Sequence, residues 1–466
     1  MAAISIVGVV VRVLWRSRHL DVYFDSYGYL LVARALRHGQ FLMDWGSGRQ
    51  IPYHPPGYAA AILAVSGFAE PGASAPALAS ALLGSLAPPL AAVCSAALFG
   101  FPAAILTAAF WVLNPLHVAY SQQAMADATA VTVTLLGAAL WLAGRGPLTA
   151  VLAGTVFGAA VLTRYSEVLS FIWLVVLAPH VANVTWRRKI FAVAAMALSL
   201  LPAALWQLTR VGLTSTTYGP IESVLKLSHA FEASNNPLMY RPNEGHLLAY
   251  LHFLGGGDGG AIWVPLCHSS LLLPLAFVPL VLGTSRDRLV SVWLLSWVVV
   301  HVSLISLMWV SEPRYMLPAY VPLAWLAGLG VEQLGRRSRL LSVAAACVLL
   351  LPPVWASRDK MFQVRPAGEY ARLPDLIAAC PPNAPIVTSI PMAVAVYDPP
   401  NARRTIDPLV VPVAEVPEIR SRQHCLIVED HVKFNAQSWI DELCRIARCR
   451  TIRSAPGIDL QLVDPR

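Results

Sequence analysis

The chain has 466 residues, of which 56% are hydrophobic and only 13% are charged, and its mean hydropathy is +0.59. Soluble domains carry about 25% charged residues, so this composition excludes an ordinary soluble enzyme and indicates an integral membrane protein. The formal net charge of +8 does not indicate a nucleic-acid partner. Much of the excess lies in short loops between apolar runs, where positive charge sets membrane topology.

The first apolar run, AAISIVGVVVRVLW, begins at residue 2. It is short for a span of about 20 residues, which fits either a tilted or snorkelling helix from whose outer end Arg12 reaches the interface, or a misplaced start codon. No small-residue cleavage site follows, and the run is interpreted as an uncleaved span. Ten further apolar runs bring the predicted total to about 11 transmembrane helices, at 75–97, 100–118, 128–143, 147–163, 166–182, 190–208, 262–283, 289–308, 316–333 and 340–355.

A cytoplasmic N-terminus places basic residues mainly in the inner loops, as the positive-inside rule requires. The inner loops carry Arg145, Arg187, Arg188, Lys189, Arg286, Arg288, Arg336, Arg337 and Arg339, whereas the short outer connections carry Arg164 and Arg314. Three segments then lie outside the membrane: a loop over 16–74, a loop over 209–261 and a tail over 356–466.

The sequence therefore predicts an α-helical polytopic membrane domain over 1–355 and a small extracytoplasmic α/β domain over 356–466. The tail alternates β-branched runs, APIVTSI and CLIVED, with a helical stretch, SWIDELCRIARC. Its four cysteines are compatible with two disulfides in an oxidising compartment, in any of three pairings. The four cysteines are Cys380, Cys425, Cys444 and Cys449. The other cysteines lie in apolar runs and are expected to be inert.

Ionisable side chains near membrane depth cost about 2.5–3.5 kcal/mol each, so they are candidates for function. In the predicted topology they gather at the outer face, as Asp21, Asp25, Asp127, Arg164, Glu167, Glu312 and Arg314. Each also has a structural alternative. Asp25 and Asp127 could cap helices, the two arginines could anchor span ends at the interface, and His54 could hydrogen-bond within a tight loop.

Several segments resemble the GT-C glycosyltransferases, in the branch that includes protein O-mannosyltransferases and the aminoarabinose and lipopolysaccharide-core sugar transferases. The first outer loop of that branch is resembled by two segments, FDSYGYLLVARALRHGQ and YHPPGYAAAILAVSGF. LNPLHVAYSQQAMADATAVTVTLLGAALWL resembles its Pro-then-Asp segment, AVLTRYSEVL its next outer turn, and EPRYMLPAYVPLAWLAG its Arg-Tyr…Pro segment. The segments occur in the expected order, over about residues 20–330.

The resemblance implies a sugar donor linked to polyprenyl phosphate and an acceptor outside the cytoplasm. The family's catalytic aspartate maps onto Asp25 and its second acid onto Asp127, so both are predicted to be catalytic. Ser26 stands where the family often has another acidic residue. No metal ligand is therefore carried over and no metal site is predicted, although a divalent metal cofactor is left open.

Five residues are predicted to bind substrate. The family's basic residue after the fifth span maps onto Arg164, and its late Arg-Tyr pair maps onto Arg314 and Tyr315. Tyr29 and His54 belong to the first outer loop. Arginines can hold a leaving phosphate through charge-assisted hydrogen bonds, and tyrosine rings can pack against sugar faces.

The sequence thus predicts a bacterial plasma-membrane glycosyltransferase, transferring a hexosyl or pentosyl group to a glycan, lipid or protein. Asp25 would act as the general base that takes a proton from the acceptor. One alternative is a GT-C-like protein that binds lipid without catalysis. A polytopic transporter is a weaker alternative, because the chain shows no inverted repeat and its polar residues gather at one face rather than at mid-depth.

Overall fold

The computed structural model is mostly helical, and the residues it describes fall into several ranges. These are 2–14, 16, 24–40, 55–179, 185–206, 208–209, 272–306, 313–362, 372–382, 384–388, 390–398, 405–406, 423–429, 444–445, 447–455 and 458–465. The predicted outer loop over 209–261, apart from its first residue, lies outside this set, as do His54 and Glu312.

Seventeen α-helices are numbered in chain order within the described residues. They are α1 (Ala2–Leu14), α2 (Phe24–Arg37), α3 (Pro56–Val65), α4 (Ala75–Gly84), α5 (Ala87–Phe99), α6 (Phe101–Leu113), α7 (Pro115–Gln122), α8 (Ala126–Ala143), α9 (Pro147–Thr163), α10 (Val168–Phe171), α11 (Trp186–Trp206), α12 (Leu272–Leu282), α13 (Ser285–Ser306), α14 (Leu317–Arg337), α15 (Arg339–Phe362), α16 (Leu373–Ala378) and α17 (Pro391–Tyr397). Short 3₁₀ turns cover Tyr165–Glu167 and Pro313–Met316, and a π-helical turn covers Ile172–Val176.

The chain forms two compact units. The helical unit comprises Met1–Arg16 and Leu78–Val364, and the second unit comprises Ser17–Ala77 and Arg365–Arg466. These units do not coincide with the predicted domains, because the first outer loop joins the tail rather than the transmembrane helices. Buried contacts between α2 and α17, both in the second unit, account for this grouping.

Within the described residues, four helices are long and apolar enough to cross a membrane: Ala75–Phe99, Ala126–Ala143, Trp186–Trp206 and Ser285–Ser306. The pair α6 and α7 makes a fifth if a helix bent by 51° is one span. Shorter apolar helices cover Pro147–Thr163, Leu272–Leu282 and Arg339–Val354, among others. These helices make the chain a multi-pass membrane protein, while the total of 11 spans stays a prediction.

Arg12 does not reach the membrane interface, contrary to the expectation from sequence. Its side chain is fully buried in the helical unit. The guanidinium donates to the carbonyl oxygens of Gly8 at 3.2 Å and Trp111 at 2.7 Å. The physical reason is that these buried acceptors hold the guanidinium inside the helix bundle instead of at its edge.

Helices α9 and α11 approach closely along a Gly-x-x-x-Gly pattern, Gly154 to Gly158. A Cβ atom built on Gly154 would meet the backbone carbonyl of Ala192, and one built on Gly158 would meet the hydroxyl of Ser199. Small residues at this spacing let two helices pack backbone to backbone in a membrane. The opposite face of α11 is exposed and apolar, with Phe191 and Leu198 on it, as expected for a lipid-facing surface.

The tail contains a five-stranded sheet, while a separate α/β domain over 356–466 stays a prediction. Its strands are β1 (Ile386–Thr388), β2 (Thr405–Ile406), β3 (His424–Glu429), β4 (Ala447–Ala455) and β5 (Ile458–Pro465), in the order β2-β1-β3-β5-β4. β1 runs parallel to β2 and β3, whereas β5 is antiparallel to β3 and β4. The predicted helix over 438–449 is wrong at its C-terminal end, because Ala447 already pairs with Pro465 in β4.

The four tail cysteines form two disulfides, Cys380–Cys425 and Cys444–Cys449. The sequence was compatible with three pairings, and the structure contains one of them. Cys425 is fully buried in β3 and Cys380 follows α16, so the first bond ties a helix to the sheet. The second bond joins the short segment before β4 to that strand.

Candidate functional site

Asp127 lies at the start of α8, where the chain leaves the bend made by α6 and α7. Met125 is the N-cap of α8, in an extended conformation, and makes no side-chain cap. Asp127 is therefore in the first helical turn rather than at the N-cap considered from sequence. An acidic side chain is favourable there because it faces the positive end of the helix dipole. Asp127 is 3% exposed, so its carboxylate needs compensating partners.

Arg164 provides the first partner. It is the C-cap of α9, with extended backbone and an N–H that donates to Ala160 O at 2.8 Å. This turn directs the guanidinium back to the Asp127 carboxylate, and the two form an ion pair. The same guanidinium lies over the ring of Tyr315, 4.7 Å from its centroid.

Arg314 approaches the carboxylate from the 3₁₀ turn that precedes α14. Its Nη1 is 3.9 Å from Asp127 Oδ2 and 3.8 Å from the sulfur of Met125. Nη2 donates to the Tyr315 hydroxyl at 3.4 Å, and the guanidinium lies 5.2 Å from the centre of that ring. Tyr315 therefore contacts both arginines, while its own carbonyl oxygen lies 2.8 Å from His301 Nε2.

Asp127, Arg164, Arg314 and Tyr315 form a group that we call the arginine–aspartate cluster. It contains two guanidiniums and one carboxylate, so its formal charge is +1. All four residues were predicted from the sequence to belong to the site, and the structure brings them together from three separate segments. An anion with several oxygens could share both guanidiniums with Asp127 through charge-assisted hydrogen bonds.

Glu167 adds a second carboxylate next to the cluster. It is fully buried one turn after Arg164, with which it interacts electrostatically. Its Oε2 accepts hydrogen bonds of 2.8 Å from Thr134 and from Ser170. Its Oε1 has no hydrogen-bond partner among the residues that the structure describes. Sequence reasoning noted Glu167 in TRYSE but gave it no role.

His301 and Met125 are members of the site's surroundings that sequence reasoning missed. His301 is 1% exposed and stands in the otherwise apolar run WLLSWVVVHVSLIS of α13. A lone ionisable side chain in such a run is costly, so the sequence alone could have marked His301 as a candidate functional residue. Met125 gave no signal, because its sulfur contact with Arg314 depends on the fold.

Two of the remaining predicted residues belong to the second unit, and the third is not described. Asp25 and Tyr29 are on α2 in the second unit, and His54 is outside the described residues. Asp25 is half-buried in the first turn of α2, which begins at Phe24. Tyr29 is 7% exposed and its ring packs edge-on against Tyr58, with centroids 5.0 Å apart.

No group of three or more His, Cys, Asp or Glu side chains in the described part of the chain is arranged to hold a metal ion. The cluster itself offers one carboxylate between two cations, which is a poor donor set for a divalent ion because hard cations take several oxygen ligands. The residues present therefore do not form a metal centre at this position.

The fold is shared with solved membrane-protein structures. ArnT from Cupriavidus metallidurans bound to undecaprenyl phosphate matches with a TM-score of 0.66 and 16% identity, over 99% of this chain and 96% of that one. Its apo state gives the same TM-score and identity, with coverage of 99% and 97%. The oligosaccharyltransferase AglB from Archaeoglobus fulgidus, in complex with an inhibitory peptide and a dolichol-phosphate, matches with a TM-score of 0.61 and 13% identity, over 100% of this chain and 74% of that one.

No family model and no curated protein matches the sequence. At these identities the likeness establishes the fold alone, which this chain shares with ArnT and AglB. The chain thus has the architecture that its first outer loop and its Arg-Tyr segment predicted by resemblance.

Proposed function

We propose that the protein transfers a sugar from a polyprenyl-phosphate-linked donor to an acceptor outside the cytoplasm. The observation that carries this proposal is the arginine–aspartate cluster. Two guanidiniums converge on one buried carboxylate beside apolar helices, so the cluster keeps a positive charge next to the lipid phase. A lipid phosphate has both the charge and the apolar chain that such a position favours.

The fold supports the same conclusion. ArnT was solved with undecaprenyl phosphate and AglB with a dolichol-phosphate and a peptide, so two proteins of this architecture bind polyprenyl phosphates. By analogy, the donor here is a sugar on a polyprenyl phosphate and the acceptor is a glycan, lipid or protein.

Arg164 and Arg314 would stabilise the phosphate as it leaves the sugar. Negative charge develops on the phosphate oxygens in the transition state, and fixed cations in a water-poor site stabilise it strongly. Tyr315 holds both guanidiniums through its ring and hydroxyl, so they are oriented before the donor arrives. Tyr29 and His54 keep their predicted roles in binding substrate.

Asp25 is proposed as the general base that accepts the proton of the acceptor's nucleophile. Its position in the first turn of α2 leaves it half-buried, so an acceptor can reach it. Asp127 was also predicted to be catalytic. We propose that it instead positions Arg164 and Arg314, because a carboxylate that is ion-paired to two guanidiniums is a weak proton acceptor.

The tail is proposed to lie on the extracytoplasmic side, with the N-terminus in the cytoplasm. Two disulfides in the tail support this orientation, since disulfides persist in oxidising compartments and are rare in the cytosol. The excess of basic residues in the predicted inner loops supports it independently.

The proposal is tested by transfer of a labelled sugar from polyprenyl-phosphate donors by the purified protein in lipid. The wild type is compared with Asp25→Asn, which keeps the volume and removes the base, and with Asp21→Asn as a matched control in the same loop. We expect Asp25→Asn to lose at least about 100-fold in turnover while Asp21→Asn retains most of it.

Two outcomes would contradict the proposal. Unchanged transfer by Asp25→Asn would remove Asp25 as the base. Donor binding without transfer by the wild type, with every acceptor class supplied, would favour a lipid-binding GT-C-like protein.

A further inference from the structure

Arg34 joins two parts of the chain that are far apart in sequence. It is 9% exposed on α2, and its Nη1 donates to the carbonyl oxygen of Val396 at 2.9 Å, across 362 residues. Its Nε lies 3.3 Å from both the Pro71 carbonyl oxygen and Glu70 Oε1. One side chain therefore ties together α2, the segment after α3, and α17 of the tail.

The contact with Val396 has a clear physical basis. Val396 is in the last turn of α17, where carbonyl groups lack intrahelical donors and the helix dipole favours a cation. Burial lowers the pKa of Arg34, and the charge of Glu70 acts in the opposite direction. The protein thus buries a guanidinium to cap a helix of the tail.

A second contact lies on the same face of α2. Tyr27 is fully buried, and its ring packs edge-on against Tyr397, with centroids 6.1 Å apart. Tyr27 and Arg34 are separated by seven residues, or about two helical turns, so they point to the same side. Arg34 contacts Val396 and Tyr27 contacts Tyr397, the last two residues of α17. The end of α17 therefore supports this face of α2.

Asp25 lies two residues before Tyr27, in the first turn of the same helix. The other side of α2 is supported by Tyr29 against Tyr58, whose hydroxyl donates to Pro76 O at 2.7 Å. A helix held on both faces can neither rotate nor slide, so the position of Asp25 depends on both supports. Removing the α17 support would let the first turn shift.

We propose that the C-terminal α/β domain positions the helix that carries Asp25, with Arg34 and Tyr397 as the positioning residues. This proposal rests on the proposed function, because it assigns the tail a role in catalysis as well as any role in acceptor choice. A misplacement of about 1 Å can lower turnover on the order of 100-fold. Loss of the α17 support is therefore expected to act mainly on kcat.

The test compares Tyr397→Ala with Tyr397→Phe, which keeps the ring, and with Leu460→Ala, which removes a fully buried side chain from β5, between β3 and β4 in the sheet. Turnover, the KM for donor and the thermal unfolding midpoint are measured for each. We expect Tyr397→Ala to lower kcat on the order of 10-fold with little change in KM, and Tyr397→Phe, which keeps the ring but loses the hydrogen bond to Tyr27, to restore most of it. Leu460→Ala should lower the unfolding midpoint but not kcat.

A second measurement does not require activity. Asp25→Cys is introduced into a chain whose Cys94, Cys267 and Cys347 are replaced by Ser, and its rate of reaction with a membrane-impermeant maleimide is followed. Adding Tyr397→Ala should change this rate several-fold, because it removes the ring that packs against Tyr27. Adding Arg34→Lys should change it as well, because a lysine cannot replace the guanidinium that donates to the carbonyl oxygens of both Val396 and Pro71. Leu460→Ala should not change it.

The outcomes separate the two proposals. A changed labelling rate, together with no sugar transfer by the wild type, would retain the positioning role and overturn the proposed function. Equal loss of kcat in Tyr397→Ala and Leu460→Ala, or an unchanged labelling rate in Tyr397→Ala, would overturn the positioning role.

Discussion

The guanidinium of Arg12 donates a hydrogen bond of 2.7 Å to the carbonyl oxygen of Trp111. In a continuous helix that oxygen would accept from the backbone N–H of residue 115, but Pro115 has none. The same Arg12 nitrogen lies 3.0 Å from His117 Nδ1, and the amide of Gln122 donates to Val11 O at 3.0 Å. Helix α1 therefore holds both sides of the bend that leads to Asp127.

We predict that Arg12→Met destabilises the protein. The substitution keeps much of the volume but leaves the buried Trp111 carbonyl without its donor, which costs about 1–3 kcal/mol. The thermal unfolding midpoint in detergent measures this loss. Arg16→Met is the matched control, because Arg16 donates only to Val13, three residues before it, in the described structure. Equal midpoints for the two variants would contradict the role given to Arg12.

The two arginines of the cluster are predicted to carry the affinity for phosphate. Arg164→Gln and Arg314→Gln should each weaken binding of a polyprenyl phosphate by about 10- to 100-fold, since each removes one charge-assisted contact. Arg→Lys at either position should restore part of this affinity, because the charge returns without the planar fork. Binding is measured in lipid nanodiscs.

Arg336→Gln is the control for these variants. Arg336 is exposed at the end of α14, where it pairs only with Glu332 among the described residues, so its loss should leave affinity unchanged. If the cluster variants bound as well as this control, the phosphate would have to bind elsewhere.

The sequence singled out three charged members of the cluster by a simple rule, and the structure brings them together. Asp127, Arg164 and Arg314 are costly charges at the ends of apolar runs, and counting spans places them at one face. Their mutual contacts required the fold. The runs that became α8, α9, α11 and α13 were likewise predicted to within a few residues, since hydropathy alone selects membrane helices, whereas the run 75–97 became two helices, α4 and α5.

Three features could not be read from local pattern. The hydrogen bond that satisfies the carbonyl freed at the Pro115 bend comes from Arg12, whose buried position contradicts its expected place at the interface. The grouping of the first outer loop with the tail depends on Arg34 and Val396, which only folding brings together. The disulfide pairing depends on β3 placing Cys425 near Cys380, whereas sequence counts permit three pairings equally.

The packing of α9 on α11 is predicted to require glycine at position 154. A Cβ there would meet the Ala192 backbone, which cannot move as a side chain could, so Gly154→Ala should cost about 1–3 kcal/mol. Gly72→Ala is the control, because a Cβ at Gly72 meets nothing within 4 Å. The unfolding midpoint should fall for Gly154→Ala alone. An unchanged midpoint would mean that α11 is not held by this contact.

The charge of Glu167 is predicted to limit the affinity of the cluster for phosphate. The Glu167 carboxylate lies next to Arg164 and opposes the cluster's formal charge of +1, so an incoming anion meets a weaker positive field. Glu167→Gln keeps an oxygen for Thr134 and Ser170 and removes one negative charge. It should strengthen binding of a polyprenyl phosphate by about 1 kcal/mol, or roughly fivefold.

This prediction is measured in the same nanodisc binding experiment, at low and high salt. Glu332→Gln is the control, because Glu332 pairs with Arg336 far along α14 from Arg314 and should not influence affinity. The gain should persist at high salt, since Glu167 is fully buried and its field is poorly screened. Weaker binding by Glu167→Gln would instead show that the carboxylate orients Arg164, and that its ordering effect outweighs its charge.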